Sequence, residues 1–259
     1  MTRTRQKLEQ LSRYDNLTGA YNDGEFRSLL TQACSQKIPL MLVALNLRNF
    51  KYINETYGLS TADQFLCRIK CCLDTICRPE EFFCRQSADV FYLALRETQA
   101  EPAVERIQTL LKLIQKEASQ LLEEYSVSVY CGCVLTAAAP GPFSAGAKHN
   151  YMMAALAQGK KDKKQSICIY DEALHEAEQM RLYVESHMQH ALEQGEFRMY
   201  LQPKMDLHTG LLTGAEALVR WQTKDRGLLF PDQFIPLFEE NGFCVQLDLY
   251  MVEQVCRQL

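Results

Sequence analysis

Hydrophobic and polar positions over the first two thirds of the chain switch between a strand period and a helix period. Apolar stretches of strand length occur at 39–46, 82–86, 89–95 and 125–135. Over Glu101–Glu124, by contrast, apolar residues recur every three or four positions, which predicts a long amphipathic helix. One connection is short enough to be a hairpin while the others contain helices, so the pattern predicts an α/β fold with a mixed sheet.

The last third of the chain predicts a second group of elements. A charged helix over 171–195 precedes two strands that are separated by a turn at "HTG". The segment "PDQFIPLFEENG" predicts a helix with proline in its first turn and glycine at its end, and another helix follows to Leu259. We therefore expect a linker helix (1–14), a first domain (15–171), a connecting helix (172–195) and a second region (196–259).

Composition narrows the function classes. A hydrophobic fraction of 47% supports folded domains, and a net charge of −4 argues against a nucleic-acid-binding surface. No apolar run approaches the ~20 residues that span a bilayer, so no membrane segment is predicted. The eleven cysteines are scattered through apolar runs, which predicts reduced, buried thiols in a cytoplasmic protein. The "CGC" at 131–133 is expected to be core strand and not a zinc pair.

Four ordered motifs lie within the first domain: "DNLTGAYNDGEF" (15–26), "NLRNFKYINETYG" (46–58), "LSTAD" (59–63) and "RQSADVFYL" (85–93). They resemble "DxLTGLxNRRxF", "DIDxFKxINDxxG", "HxxGD" and "RxGGDEFxxL" of the GGDEF family, the diguanylate cyclases. The resemblance implies that family's mixed-sheet fold and a reaction that joins two GTP molecules with the help of Mg²⁺.

The chain departs from this family where the chemistry is done. The resemblance assigns metal-binding acids to the positions of Asn46 and Val90, and the signature glycines to those of Ser87 and Ala88. Mg²⁺ prefers hard anionic oxygens. Asp89 is the remaining acid of the hairpin and cannot replace both ligands, so we expect a degenerate domain without diguanylate cyclase activity.

The family's product-binding "RxxD" motif is also absent. Its positions are held by Pro79 and Phe82. Arg78 and Glu81 lie one residue out of register with that motif and are predicted to belong to a solvated loop.

Nucleotide binding without catalysis is a separate expectation. The resemblance places Asn54 and Asp63 where the family reads the guanine edge, and Lys160 where it contacts phosphate, with Lys161, Lys163 and Lys164 adding charge. GTP would then be a regulatory ligand. The alternative is a structural remnant, in which Asp63 completes a capping box that begins at Ser60 and the lysines form a solvated turn. The sequence leaves both open.

A second resemblance begins near residue 196. The segments "YLQPKMDLHTGLLTGAEALVRWQ" (200–222) and "PDQFIPLFEENG" (231–242) are similar to the EAL family of cyclic di-GMP phosphodiesterases. The resemblance implies a TIM-like barrel that uses Mg²⁺ or Mn²⁺, with Glu216 as catalytic metal ligand and Arg220 on a substrate phosphate. Gln202 would also contact substrate, although a polar strand terminus is an equally open reading of that residue.

Residues 196–259 amount to about a quarter of a barrel of ~250 residues. We therefore expect an inert fragment of a phosphodiesterase that converts cyclic di-GMP to pGpG, with the first domain as a regulatory or dimerising module in a homodimer. The competing hypothesis is a non-catalytic scaffold for nucleotide sensing or protein interaction, with both domains degenerate.

Overall fold

The structure, a computed structural model, describes residues 12–123, 125–162 and 166–258. Most of the predicted linker helix at 1–14 lies outside these residues, as do Lys163 and Lys164. The chain divides into two compact units, Met1–His175 and Glu176–Leu259.

The first unit contains a mixed α/β sheet, which confirms the predicted fold class. Its elements in chain order are α1 (Asp23–Ser35), β1 (Met41–Leu47), α2 (Phe50–Tyr57), α3 (Leu59–Ile76), β2 (Phe82–Ser87), β3 (Val90–Leu95), α4 (Ala100–Leu121), β4 (Val129–Leu135), α5 (Ala145–Lys161) and β5 (Ile167–Ile169). The strands are ordered β2-β3-β1-β4-β5, and all neighbours are antiparallel except the parallel pair β4–β5.

The central strand β1 is buried on both faces. Its odd-numbered residues, such as Val43 and Leu45, pack in a core with α3 and α4, and its even-numbered residues Leu42 and Ala44 pack in a second core with α1 and α5. Burial on both faces explains why this strand appears in the sequence as a continuous apolar run and not as an alternating one.

The "CGC" segment lies in β4 and is core strand. A Cβ at Gly132 would come within 2.5 Å of the α5 backbone at Met152 and Leu156, so glycine lets this helix pack directly on the sheet. Cys131 and Cys133 are fully buried, and burial raises the pKa of the Cys131 thiol to about 12. These thiols are therefore protonated packing groups.

The prediction that all cysteines are buried is wrong for Cys71 and Cys256, which are exposed. On α3, Cys72 takes the core-facing position, and its neighbour Cys71 therefore lies outside the buried face of the helix. Cys256 lies in the last turn of the final helix, on a side that no described element covers.

The second unit is built around a three-stranded antiparallel sheet in the order β6-β7-β8. Aromatic residues form its core: Phe197, Trp221, Phe234, Phe238 and Phe243. The two-residue strand β8 is not predicted from the sequence. The elements are α6 (Glu172–Glu193), which begins at the end of the first unit, β6 (Phe197–Met205), β7 (Leu212–Gln222), β8 (Leu228–Leu229), α7 (Pro231–Asn241) and α8 (Cys244–Gln258).

The β6–β7 hairpin is buried at one end only. Phe197 and Trp221, which are direct partners in the register, are buried, but Leu201, Leu212 and the turn residue Leu207 are exposed, the last at 97%. Throughout the described ranges, no helix has the length and apolarity that crossing a membrane requires.

Candidate functional site

The β2–β3 hairpin brings together the positions that the first resemblance assigns to metal ligands. Val90 is the direct partner of Asn46 in the β1–β3 register, and Asp89 precedes Val90 in the turn. The Asn46 Nδ2 donates a hydrogen bond of 2.7 Å to Asp89 Oδ2, and the Leu47 N–H lies 3.5 Å from the Asp89 carbonyl oxygen. An amide–carboxylate hydrogen bond therefore connects β1 to the hairpin turn at this point.

These residues do not fit Mg²⁺. Asn46 turns its amide N–H toward Asp89, and Val90 has no ligand atom, so one carboxylate remains. Burial raises the pKa of the Asp89 carboxyl, an effect that its own peptide N–H and the charge of Lys160 partly offset. Within the part of the chain that the structure describes, no group of three or more His, Cys, Asp or Glu side chains could hold a metal ion.

The hairpin turn keeps a backbone shape that favours glycine. Ala88 has a φ of +45°, in the left-handed region, where a Cβ is unfavourable. Arg85 Nε donates to the Ala88 carbonyl at 2.8 Å, and Arg85 Nη1 donates to Asp15 Oδ1 at 3.2 Å. These contacts brace the strained turn against the first motif of the domain.

Asp15 receives further hydrogen bonds from the backbone N–H and the hydroxyl of Thr18, at 2.9 and 2.7 Å. Burial alone would raise the pKa of the Asp15 carboxyl, but these bonds and the Arg85 guanidinium hold it below its ordinary value. This bracing was not predicted from the sequence, although Arg85 and Asp15 each belong to a motif of the domain.

Asp63 lies in an open cavity of about 640 Å³. The residues that line this cavity are Leu17, Ser60, Asp63, Gln64, Cys67 and Arg68. The predicted capping box is wrong, because α3 already begins at Leu59, after the N-cap Gly58, and no side chain caps it. Ser60 is therefore inside the helix, and the Asp63 carboxylate is exposed to the cavity.

Asn54 is half-buried on α2, which packs against α3. A short series of contacts connects the cavity to the hairpin. Cys67 Sγ lies 3.5 Å from the Leu17 carbonyl oxygen, and both residues line the cavity. Arg85 of the hairpin donates to Asp15, two residues before Leu17. Burial and the Asp63 charge raise the pKa of the Cys67 thiol. Lys160, at the end of α5, is exposed, and its charge opposes the rise in the pKa of the Asp89 carboxyl.

The prediction of a solvated loop is confirmed for Arg78, whose side chain is 61% exposed, but is wrong for Glu81. The Glu81 side chain has no solvent exposure, and Arg106 Nη1 and Nη2 donate to its two oxygens at 2.8 and 2.6 Å. The backbone N–H groups of Arg78 and Arg96 donate to the same carboxylate. Arg106 comes from α4, 25 residues away, and local sequence could not identify it as the partner.

In the second unit, Gln202 and Glu216 are direct cross-strand partners of β6 and β7. Arg220 lies four positions after Glu216 and shares its face of the strand. The Arg220 guanidinium is 5.2 Å from the centre of the Phe230 ring, and its Nη1 donates to the Val219 carbonyl at 2.7 Å. The structure thus brings Gln202 and Glu216 together and places Arg220 farther along the same surface.

A lysine that the sequence analysis missed lies beside Glu216. Lys204 Nζ is 3.2 Å from Glu216 Oε2, and both side chains are more than half exposed. Its signal was the two-residue spacing from Gln202, which puts both on one face of β6. Glu216 fits one ligand position of a divalent ion, but a single carboxylate does not make a two-metal site.

Comparison with protein families finds two matches. Residues 12–166 match the model described as "Diguanylate cyclase, GGDEF domain", and residues 185–259 match the "EAL domain" model. The chain is 26% identical over its whole length to the bifunctional diguanylate cyclase/cyclic di-GMP phosphodiesterase MucR of Pseudomonas aeruginosa, and 28% identical over 99% of its length to the cyclic di-GMP phosphodiesterase PdeR of Escherichia coli. It spans 38% of the length of MucR and 39% of that of PdeR.

Solved structures show the same fold. The S helix-GGDEF-EAL structure of Vibrio cholerae LapD, bound to c-di-GMP, aligns with 98% of this chain and 60% of its own, with a TM-score of 0.57 and 15% identity. The coiled coil and GGDEF domain of DgcB from Caulobacter crescentus, in complex with c-di-GMP, aligns with 64% of this chain and 92% of its own, with a TM-score of 0.52 and 24% identity. The chain belongs to the GGDEF family, and part of an EAL domain follows its GGDEF domain.

Proposed function

We propose that this chain is part of a cyclic di-GMP phosphodiesterase whose GGDEF domain does not synthesise cyclic di-GMP. The observation that carries the proposal is the contrast between two sets of partner residues. Gln202 and Glu216 face each other with the polar groups that an EAL site needs, whereas Asn46 and Val90 face each other without a carboxylate. The names of MucR and PdeR support the same substrate class.

In the complete EAL domain, Glu216 would be one ligand of Mg²⁺ or Mn²⁺, which supplies Lewis acidity and lowers the pKa of a bound water. Arg220 would hold a substrate phosphate, because a planar guanidinium can donate two hydrogen bonds to phosphate oxygens. Gln202 would position the substrate by hydrogen bonding from the strand opposite Glu216. Hydrolysis of one phosphodiester bond of cyclic di-GMP would give the linear dinucleotide pGpG.

Residues 1–259 alone should not catalyse this reaction. One carboxylate cannot replace the acids of a two-metal site, and the apolar residues Leu201, Met205 and Leu212 are exposed on the hairpin that carries it. The remaining strands and helices of a barrel would cover these side chains and complete the ligand set.

The GGDEF domain would then act as a regulatory module that binds GTP. Asp63 offers an exposed carboxylate in a cavity, which suits the two adjacent N–H donors of guanine, and Asn54 lies on the neighbouring helix. Lys160 would meet the phosphates near the hairpin turn. GTP binding would be lost or weakened in Asp63→Ala if this assignment is right, and equal binding by that variant would refute it.

The proposed activity is tested with the native protein purified from its own cells. It should convert cyclic di-GMP to pGpG in the presence of Mg²⁺ or Mn²⁺, and it should form no cyclic di-GMP from GTP. Residues 1–259 alone serve as the matched control and should do neither. Hydrolysis by this control, or synthesis by either preparation, would contradict the proposal.

A second candidate function is a non-catalytic scaffold that senses nucleotides or binds a protein partner. The exposed Lys204–Glu216 ion pair is the observation for it, because the carboxylate already has a positively charged partner when no metal is bound. Measuring pGpG formation from cyclic di-GMP separates the two candidates. A scaffold would bind cyclic di-GMP or a partner without producing pGpG, whereas a phosphodiesterase would produce it.

A further inference from the structure

The former metal position of the GGDEF domain has changed its charge. The motifs "DIDxFKxIN" and "RxGGDEF" carry four acids, and in this chain their positions are held by Asn46, Arg48, Asp89 and Val90. One carboxylate and one guanidinium remain, and their formal charges sum to zero. A site of this composition no longer attracts a divalent cation, and it no longer repels the phosphates of a free nucleotide.

Arg48 lies on the same face of the sheet as this position. Even-numbered residues of β1 face α1 and α5, and the ladder continues past β1 because the Arg48 N–H donates to Ser128 O at 2.8 Å. By strand alternation Arg48 therefore follows Asn46 on that face. The Arg48 side chain is half-buried and makes no hydrogen bond or ion pair with any residue in the described ranges.

Lys160 approaches from α5, the helix that covers this face. It lies in the last turn of α5, which packs on the even-numbered residues of β1, and, like Arg48, it has no ion pair among the residues described. The effect of its charge on the pKa of Asp89 agrees with this placement. The Asn46 amide donates a hydrogen bond of 2.7 Å to the Asp89 carboxylate and so holds it against β1. Within the described residues, Arg48 and Lys160 thus bring two cations without ion pairs to this face of the sheet. Arg85 of the hairpin donates to Asp15, two residues before Leu17, and Leu17 lines the cavity that contains Asp63.

We propose that this domain binds a nucleoside polyphosphate without a divalent cation, with Arg48 and Lys160 supplying the positive charge that Mg²⁺ would otherwise bring. The inference rests on the proposed regulatory binding of GTP and specifies its mode. A guanidinium can replace part of the metal's role in binding, because it donates hydrogen bonds to two phosphate oxygens at once. It would not activate a hydroxyl group for attack, which is consistent with binding that does not lead to synthesis.

The direct experiment is isothermal titration of GTP into the native protein, once in EDTA and once in excess Mg²⁺. We expect binding in EDTA that is as tight as, or several-fold tighter than, binding in Mg²⁺, because Mg²⁺ lowers the negative charge that the two cations recognise. Binding that requires Mg²⁺ would overturn this inference and leave regulatory GTP binding intact. An absence of GTP binding in both buffers would overturn the regulatory proposal as well.

Substitutions locate the site. Arg48→Gln and Lys160→Gln should each weaken GTP binding in EDTA by about tenfold or more, the usual effect of losing a hydrogen bond to a charged group. Lys116→Gln removes an exposed cation from α4 and should change the affinity by less than about twofold. An equal effect of all three substitutions would indicate non-specific attraction and contradict the assignment.

The double variant Asn46→Asp, Val90→Glu tests the same idea in reverse. It returns two carboxylates to partner positions that face each other across β1 and β3. GTP binding by this variant should be weaker in EDTA than that of the unchanged protein and should improve when Mg²⁺ is added. Retention of tight, metal-independent binding would mean that the charge of this position does not determine the binding mode.

Discussion

The two hairpins of this protein differ in what surrounds them and in what they present. The β2–β3 hairpin belongs to a sheet with a core on each face, and its turn is braced by the Arg85 contact to Asp15. It presents Asn46 opposite Val90, with no metal ligand at either position. The β6–β7 hairpin presents Gln202 opposite Glu216, but its apolar residues are exposed along most of its length.

This difference shows that packing and chemistry are separable in a domain. The first hairpin has the left-handed turn at residue 88 and its bracing contacts, with alanine and valine at the positions where the family motif has glycine and glutamate. Its side chains contribute to the cores on both faces of the sheet, for example Phe91 on one face and Tyr92 on the other. The second hairpin keeps the residue types of a site while that site depends on structure beyond two strands.

Ion pairs follow the same division. Glu81 and Arg106 form a buried pair with two hydrogen bonds between them, and the carboxylate has no exposed surface. Lys204 and Glu216 form an exposed pair at 3.2 Å, which water and salt can replace at little cost. The first pair holds a fold together, whereas the second can be given up when a metal or substrate binds.

The largest expected effect concerns Glu216. In the native protein, Glu216→Gln should lower the rate of cyclic di-GMP hydrolysis by more than roughly 100-fold. Substituting a residue that only hydrogen-bonds to a metal ligand typically costs roughly 10–100-fold, and Glu216→Gln removes a ligand itself. The measurement is pGpG formation. Glu253→Gln, an exposed change on α8, is the control and should retain full activity. Full activity of Glu216→Gln would contradict the proposed difference between the two hairpins, since neither of them would then be catalytic.

The next effect concerns stability. Arg106→Met should lower the free energy of unfolding of the first unit by about 3–5 kcal/mol, because it leaves the Glu81 carboxylate buried without a counter-charge. Chemical denaturation of residues 1–259, followed by circular dichroism, measures it. Arg68→Met breaks the part-exposed pair with Glu117 and should cost less than about 1 kcal/mol. Equal costs for the two variants would show that burial of the Glu81 pair contributes nothing.

The same carboxylate predicts a pH dependence. Burial alone would raise the pKa of Glu81, but the hydrogen bonds from Arg106 and from two backbone N–H groups place it below its ordinary value of 4.5. Its contribution to stability is therefore fully present above pH 4.5 and is lost as the pH falls through the lowered folded value. Unfolding free energies measured against pH should fall less steeply on acidification for Glu81→Gln than for the unchanged chain. Parallel curves would contradict this explanation.

The smallest effect tests the hairpin turn. Ala88→Gly should stabilise the first unit by about 0.5–1 kcal/mol, because glycine has no Cβ to oppose the left-handed backbone at φ +45°. Ser87→Gly, one position earlier and within β2, should be neutral or destabilising, because glycine weakens a strand. Thermal unfolding of both variants decides the matter, and a loss of stability in Ala88→Gly would mean that the turn is not strained.

Periodicity and motif spacing predicted much of this molecule. The apolar runs gave the strands of the mixed sheet, and the hairpin around Asp89 occurs where the pattern placed it. The two-residue strand β8 escaped prediction because Leu228 and Leu229 are too short a run to show any period. The capping box at Ser60 predicted too late a start for α3. Gly58, with a φ of +83°, is the N-cap, so the helix begins at Leu59 directly after α2 and without a capping side chain.

The candidate sites divide in the same way. Residues on one strand, such as Glu216 and Arg220, could be placed on one face from the sequence because strand alternation governs their spacing. The partner of Glu81 could not be predicted, because Arg106 reaches it from another helix and the local sequence around residue 81 resembles a polar loop. Long-range contacts of this kind depend on how α4 packs against the sheet.

We propose that the complete protein degrades cyclic di-GMP and does not make it. To test this, the native protein is incubated in parallel with GTP and with cyclic di-GMP, each with Mg²⁺, and the nucleotides are separated and quantified. We expect pGpG from cyclic di-GMP, its loss in Glu216→Gln, and unchanged GTP in the parallel reaction. Formation of cyclic di-GMP from GTP would contradict the account, because Asn46 and Val90 would then have to support the chemistry that their side chains lack.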